Sequence, residues 1–209
     1  MTIKSSAIAL ALAALTAPAA LMSAAPAYAQ AASESDAKAA AKFIDTLSSE
    51  AFAVIRSGSA NSPQTRAALN EMLAENFDVN YIGQYLIRRH KKDIDADQYR
   101  AYMAVFPTWV VATYTNNLFA FEDSEIRVIR AIPRGARGDV EVFTRIIPKS
   151  GSPFDAVWQL RMKGPDDFKI RNLKVSGVNM ALTQEQDFNA YIGRNGFDAL
   201  VALMKKRIS

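Results

Sequence analysis

The sequence predicts an α+β protein in which a helical part packs on a curved, four-stranded antiparallel sheet, and three observations carry that expectation. Apolar residues recur at helical spacing through Phe121, alternate with polar residues from about 124 to 176, and return to helical spacing from about 184 to 207. Turn signals at Pro133-Arg134-Gly135, Ser150-Gly151-Ser152-Pro153 and Gly164-Pro165-Asp166-Asp167 separate the alternating runs by only a few residues, as a meander requires. The order helices, strands, helices then places helices against a single sheet with one face covered and one partly wet. A curved sheet covered on its concave face encloses space.

Each element has its own signal. From Ser33 to Ser57 the residues Phe43, Leu47, Phe52 and Ile55 share one broad helical face, and Ser57-Gly58-Ser59-Ala60-Asn61 ends that helix. Ser62 before Pro63 reads as an N-cap with proline at the first helical position, opening a helix to about Asn76. Asp78 is placed to cap a short segment bearing Val79, Tyr81, Ile82, Tyr85 and Leu86, which runs into the basic string Arg88-Arg89-His90-Lys91-Lys92. Asp95 and Gln98 have capping-box spacing and open a long helical region through Phe121, with a bend expected near Pro107. The strands follow: Ile126, Val128 and Ile132; Val140, Val142 and Thr144; Phe154, Ala156, Trp158, Leu160 and Met162; then Phe168 and Ile170. Thr183 to Gln186 again has capping-box spacing, and two helices follow, divided at Asn195-Gly196 and ending in Lys205-Lys206-Arg207.

The N-terminus carries a separate signal. Lys4, the apolar stretch Ala7 to Leu15, and Ala27-Tyr28-Ala29 before Gln30 follow the order of a basic region, an apolar region and an A-x-A cleavage site. Residues 1–29 therefore read as a cleavable export signal, and residues 30–209 as one domain. A membrane anchor would need about 20 unbroken apolar residues, and Pro18 and Pro26 interrupt this run. The net charge of +4 falls by one unit when Lys4 is removed, too mild a bias to imply nucleic acid. With no cysteine in the chain, a disulfide framework, a cysteine nucleophile and a thiolate metal site are all excluded.

Catalytic signals are sparse. The lone histidine, His90, sits inside the basic string, where a solvated helix end is the ordinary role. No glycine-rich phosphate loop, G-x-S-x-G elbow or histidine-rich metal spacing is present, so neither a cofactor nor a metal is expected. Asp155, Asp166 and Asp167 fall at strand ends or turns, where capping accounts for them. Aromatic residues are more informative. Phe77, Tyr81, Tyr85, Tyr99, Tyr102, Phe106, Trp109, Tyr114, Phe119 and Phe121 crowd one stretch, and Tyr102, Phe106, Trp109, Val110 and Thr113 form a wide stripe. Core packing explains most such residues; a stripe held apart from a sheet face bearing Phe154, Trp158 and Leu160 would instead wall an apolar cavity.

Several stretches resemble a known family. Phe77 to Tyr85 (F-D-V-N-Y-I-G-Q-Y), Phe106 through Trp109 to Tyr114 with Leu118 following, and Val140 to Ile146 (V-E-V-F-T-R-I) carry the likeness. So do Phe168 to Val178 (F-K-I-R-N-L-K-V-S-G-V) and Asp187 to Leu203. Together they resemble the MlaC phospholipid-shuttle family, also described as toluene-tolerance auxiliary proteins of the Gram-negative periplasm. The chain departs from that pattern at Phe168, Asn172 and Asn179-Met180, where family members often carry Trp, Asp and Ser-Leu, and Thr183-Gln184-Glu185 stands where an Arg is common.

The resemblance implies an NTF2-like sheet with a lipid pocket between it and the helices, and a periplasmic, non-enzymatic carrier that holds a phospholipid by two acyl chains. It also implies docking to an outer-membrane lipoprotein complex and to an inner-membrane Mla-type ABC transporter with a lipid-binding ring. Arg88 to Lys92 and Lys205 to Arg207 are then candidate docking or headgroup-facing surfaces, with solubilising charge the alternative. The pocket residues expected from these patterns are Phe77, Tyr81, Ile82, Tyr85, Tyr102, Phe106, Trp109, Val110, Tyr114, Leu118, Val142, Trp158, Leu160, Val175 and Val178. Three further possibilities stay open at this point: a carrier of hopanoids or other polycyclic lipids, an envelope adaptor with a filled core, and a small enzyme with a carboxylate facing the cavity.

Overall fold

In the computed structural model, residues 32–58, 62–119, 123–135 and 138–208 are described, without the side chains of Asn117 and Leu118. Residues 1–29, expected to form an export signal, residues 59–61 and Phe121 lie outside the described residues. Four helices come first: α1 (Glu34–Ser57), α2 (Pro63–Asn76), α3 (Val79–Leu86) and α4 (Ala96–Leu118). The strands β1 (Glu125–Arg134), β2 (Asp139–Ile147), β3 (Phe154–Gly164), β4 (Asp167–Val175) and β5 (Val178–Asn179) follow, and α5 (Met180–Asn195) and α6 (Phe197–Ile208) close the chain.

Helix starts follow the local chemistry closely. Ser33 and Asp36 form a reciprocal capping box at α1, and Ser62 accepts from the Thr65 N–H at α2 behind Pro63. At α4 the Asp95 Oδ1 accepts from the Asp97 and Gln98 N–H groups at 2.8 Å, while Gln98 Oε1 accepts from the Asp95 N–H at 3.1 Å. α4 then continues through Pro107 as one helix and ends at Leu118. Two expectations need correction. Asp78 stands at the N-cap of α3 but makes no side-chain cap. Its carboxylate goes instead to Arg171 at 2.8 Å and Lys163 at 3.0 Å, because two cations outcompete a neutral N–H for it. α5 begins at Met180, ahead of the expected Thr183, since Asn179 caps it by accepting from the Leu182 N–H at 3.0 Å. Asn172 reinforces that start by accepting from the Ala181 N–H at 3.1 Å and donating to Asn179 Oδ1 at 2.9 Å.

The sheet is an antiparallel meander in the order β1-β2-β3-β4-β5. It has one strand more than the four expected, because the β4 hairpin adds two residues of pairing, Val175↔Val178 and Lys174↔Asn179, too short to show as alternation. The register puts Val140 opposite Leu160, Val142 opposite Trp158 and Thr144 opposite Ala156 on the covered face. Glu141 opposite Gln159 and Arg145 opposite Asp155 occupy the other face, where Arg145 and Asp155 pair at 2.8 Å. Register shifts between Val128 and Arg130 and between Gln159 and Leu160 mark bulges, which add twist and curl. The first leaves Ile129 60% exposed, breaking the in-and-out alternation of β1.

Two cores result. α4 packs on α5 and α6 through an aromatic ladder: Tyr102 to Phe106 at 5.3 Å, Tyr102 to Phe197 at 5.7 Å, and Trp109 to Phe188 at 5.5 Å between ring centroids. α3 approaches α4 closely because position 83 is glycine; a Cβ there would lie 2.7 Å from the Phe106 ring. The Tyr102 hydroxyl donates to the Gly83 carbonyl at 3.0 Å, and its burial pushes the phenol well above its ordinary value. The second core lies between α1 and the sheet, where the small residues Ala37 and Ala40, together with Ile44, rest on Val140, Val142, Leu160, Phe168 and Ile170.

Candidate functional site

The second half of α1 presents Leu47, Ala51, Phe52 and Ile55, which recur at helical spacing on one face. α2 crosses here and contributes Leu69, Met72 and Leu73, with Phe77 at its C-cap; Ile126 of β1 and Trp158 of β3 complete the enclosure. The result is a chamber of about 80 Å³. Its wall is almost wholly carbon, and the two polar side chains on it turn their polar atoms away. The Ser48 hydroxyl donates back to the Ile44 carbonyl at 2.7 Å, and the Trp158 indole N–H donates to Thr144 Oγ1 at 3.0 Å. None of the residues lining the chamber is ionisable.

A second, smaller void of about 10 Å³ adjoins it, walled by Leu73, Phe77, Val79, Ile82, Val110, Val111 and Tyr114. The Phe77 and Tyr114 rings stack there at 6.4 Å, and burial raises the Tyr114 phenol above its ordinary value. Beyond it lies an open cleft of about 840 Å³ between α2, the start of α3, the middle of α4 and the β3–β4 turn. Lys163, Lys169, Glu71, Glu75 and Asp78 edge that cleft, so its mouth carries both signs of charge. Although partial burial alone would raise it, the Asp78 carboxyl is held below its ordinary value by hydrogen bonds from Lys163 and Arg171.

The expected pocket residues are distributed among several surroundings. Phe77 and Trp158 wall the chamber, and Phe77, Ile82, Val110 and Tyr114 surround the second void. Val142 and Leu160 are buried in the sheet beneath α1, beside the chamber. Tyr102, Phe106 and Trp109 belong to the helical core, facing α5 and α6, on the side of α4 away from the sheet stripe with which the sequence pairs them. Tyr81 and Tyr85 stack on one another at the surface, with Arg171 over the first at 4.0 Å and Arg88 over the second at 3.9 Å. Val175 and Val178 pair in the β4–β5 hairpin, with Val178 51% exposed, and the side chain of Leu118 lies outside the described residues. The chamber residues absent from the expected set are those of α1 and α2, chiefly Ile44, Leu47, Ala51, Phe52, Leu69 and Leu73, together with Ile126 of β1. The periodic face of α1 was the available signal, since it marks a buried stripe without saying what the stripe faces.

The basic string is tied into the fold. Arg88 and Arg89 both pair with the fully buried Glu185 of α5, at 2.7 and 3.0 Å, and His90 shares a 2.8 Å hydrogen bond with Asn189. Among the described residues no group of side chains is placed to hold a metal ion, and no helix is long and apolar enough to cross a membrane.

A curled antiparallel meander, helices on its covered face and a carbon-walled chamber between them define an α+β protein built around an apolar cavity. Comparison with known proteins makes this specific. The family model for MlaC protein matches residues 45–206, and the chain belongs to the MlaC family. The fold also matches a phospholipid-binding protein from Ralstonia solanacearum whose structure was solved in complex with a phospholipid. That likeness has a TM-score of 0.65 at 19% sequence identity and covers 81% of this chain and 96% of the other. No curated protein matches the sequence.

Proposed function

We propose that this chain is a periplasmic phospholipid carrier, the soluble component that moves lipid between the outer and inner membranes in an Mla-type ABC transport pathway. The observation that carries the proposal is the chamber between α1, α2 and the sheet, whose lining has no ionisable group and whose polar atoms are turned back into the protein. Such a wall suits hydrocarbon. It lacks the carboxylate that an enzyme working in the same cavity would need, which favours a carrier without catalysis. Membership of the MlaC family and the phospholipid held by the Ralstonia protein support the ligand class. On this reading the partners are an inner-membrane complex with a lipid-binding ring and an outer-membrane lipoprotein complex, and the export signal at residues 1–29 supplies the address.

The chamber's 80 Å³ is well below the roughly 300–1,000 Å³ of ligand pockets, so loading requires the α1–α2 layer to draw back from the sheet. The driving force is ample: at about 0.8 kcal/mol per methylene, two chains of roughly sixteen carbons represent on the order of 25 kcal/mol relative to water. Leu47, Phe52, Phe77 and Trp158 then contact the chains first, with Val142 and Leu160 uncovered as α1 lifts. The test is native mass spectrometry of the mature protein purified from its own envelope, with the lipid identified after denaturation. A stoichiometric phospholipid is expected. A hopanoid would move the protein to the polycyclic-lipid branch, and bare protein after incubation with phospholipid vesicles would overturn the carrier reading.

A further inference from the structure

Among the described residues, Phe77 is the one side chain that lines the chamber, the second void and the open cleft. Its neighbours order the three spaces. Leu73 is shared by the chamber and the second void, while Val79 and Val111 are shared by the void and the cleft. The shared residues therefore set the three spaces in line, from a mouth bearing charges of both signs, past Val79 and Val111, to a partition formed by Leu73 and Phe77. An amphiphile fits this order, with a charged end at the mouth and hydrocarbon along the line.

The backbone at Phe77 is fixed on both sides. Its own N–H donates to the Leu73 carbonyl at 3.0 Å, and the Asp78 N–H donates to the Ile170 carbonyl of β4 at 2.9 Å. The Asp78 carboxylate is further tied to Lys163 and Arg171. With the main chain held, the ring moves by rotation about its side-chain bonds, a step available without unfolding α2. What holds it shut is its stack on Tyr114, 6.4 Å between centroids at an interplanar angle of 23°. We propose that Phe77 is a rotating gate, latched by Tyr114, through which an acyl chain passes from the cleft into the chamber.

The inference rests on the carrier reading, and transfer kinetics separate the two. The mature protein is loaded from phosphatidylethanolamine–phosphatidylglycerol vesicles containing a pyrene-labelled phospholipid, and exchange to unlabelled vesicles is followed by fluorescence. An aromatic stack of this kind contributes about 0.5–1.5 kcal/mol, so Phe77→Leu and Tyr114→Leu are each expected to speed exchange roughly 2- to 10-fold. Removing both should add little beyond either alone, because the latch is one contact. Phe77→Trp, bulkier at the same place, should slow exchange. Circular dichroism and thermal melts identify a variant that fails to fold, and the remaining variants then carry the test. Wild-type protein that loads lipid, beside folded variants that all exchange at its rate, would overturn the gate and leave the carrier standing. Wild-type protein that loads no lipid would overturn both.

Discussion

Filling the chamber should raise the stability of the empty protein while weakening its hold on lipid. Ala51 lies on the α1 wall at mid-length, and Ala51→Leu keeps helix propensity nearly unchanged while adding three carbons to the cavity side. Each carbon occupies about the volume of a water, roughly 30 Å³, so three match the 80 Å³ available. A void of that size withholds about 2 kcal/mol at roughly 24 cal/mol per Å³, which sets the largest gain expected for the delipidated protein. The same three carbons displace about three methylenes of bound chain, worth about 2.4 kcal/mol in all, or on the order of fifty-fold in lipid retention. Urea unfolding of delipidated protein measures the first quantity, and lipid titration followed by native mass spectrometry measures the second. A variant that lost stability yet retained lipid as the wild type does would refute the argument, because the space would then be neither empty nor the lipid's.

The remaining predictions bear on the frame around that chamber. Gly83→Ala presses a methyl to 2.7 Å from the Phe106 ring, so overpacking should outweigh the gain in helix propensity and cost about 1–2 kcal/mol in urea, with lipid content unchanged. Glu185→Ala leaves Arg88 and Arg89 without their shared carboxylate. Because those arginines remain 40% and 65% exposed, no buried charge is stranded and the cost is that of the lost charge-assisted hydrogen bonds, about 1.5–3 kcal/mol, read as a fall in Tm of about 3–12 °C. Burial would raise Asp78 and Glu141, but the side chains bonded to them prevail: Lys163 and Arg171 hold Asp78 low, and Gln159, Arg134 and Lys174 hold Glu141 low. Both carboxyls are thus lower in the folded than in the unfolded chain, so their contribution is full above the unfolded values near 4 and is lost as pH falls through the folded ones. Stability should drop below about pH 4, and Asp78→Asn should flatten that limb in a pH series of urea melts.

Much of this architecture was legible because local chemistry decides it. The capping box at Asp95 and Gln98, the proline behind Ser62 and the alternation of Val140, Val142 and Thr144 each act within a few residues, and each appears in the structure as the sequence implies. Where distant partners intervene, local reading falls short. Asp78 has the chemistry of a cap and is drawn away by Arg171, which lies 93 residues further along the chain. Asn179 begins α5 early because Asn172, on the neighbouring strand, shares the cap. The site suffers the same limit. Helical spacing identifies Tyr102, Phe106 and Trp109 as a buried stripe and α1 as another, but only the packing shows that the first faces α5 and α6 while the second borders the void. Aromatic density made α4 the more conspicuous wall, and ring-on-ring packing is what a rigid core uses.

That division between a rigid and a yielding core is itself an argument about mechanism. A carrier has to hold its shape while one wall gives way, and the two cores differ in the direction this needs. The helical core is interlocked: Tyr102 and Trp109 reach Phe197 and Phe188, and the basic turn is tied to α5 by the buried Glu185. α1 rests on the sheet through the small residues Ala37 and Ala40, with Ile44 at the edge of the chamber, the Phe43 ring 5.9 Å from that of Phe168, and Phe52 and Ile55 beside Ile126. Lifting its second half exposes Leu47, Phe52 and Ile55, at about 1.5–3 kcal/mol apiece if water filled the gap. If hydrocarbon fills it, those side chains exchange one apolar neighbour for another and the cost largely vanishes. On the proposed function, the chamber then resists water and admits lipid on the same physical ground, and α1 opens without loosening the α4–α6 frame.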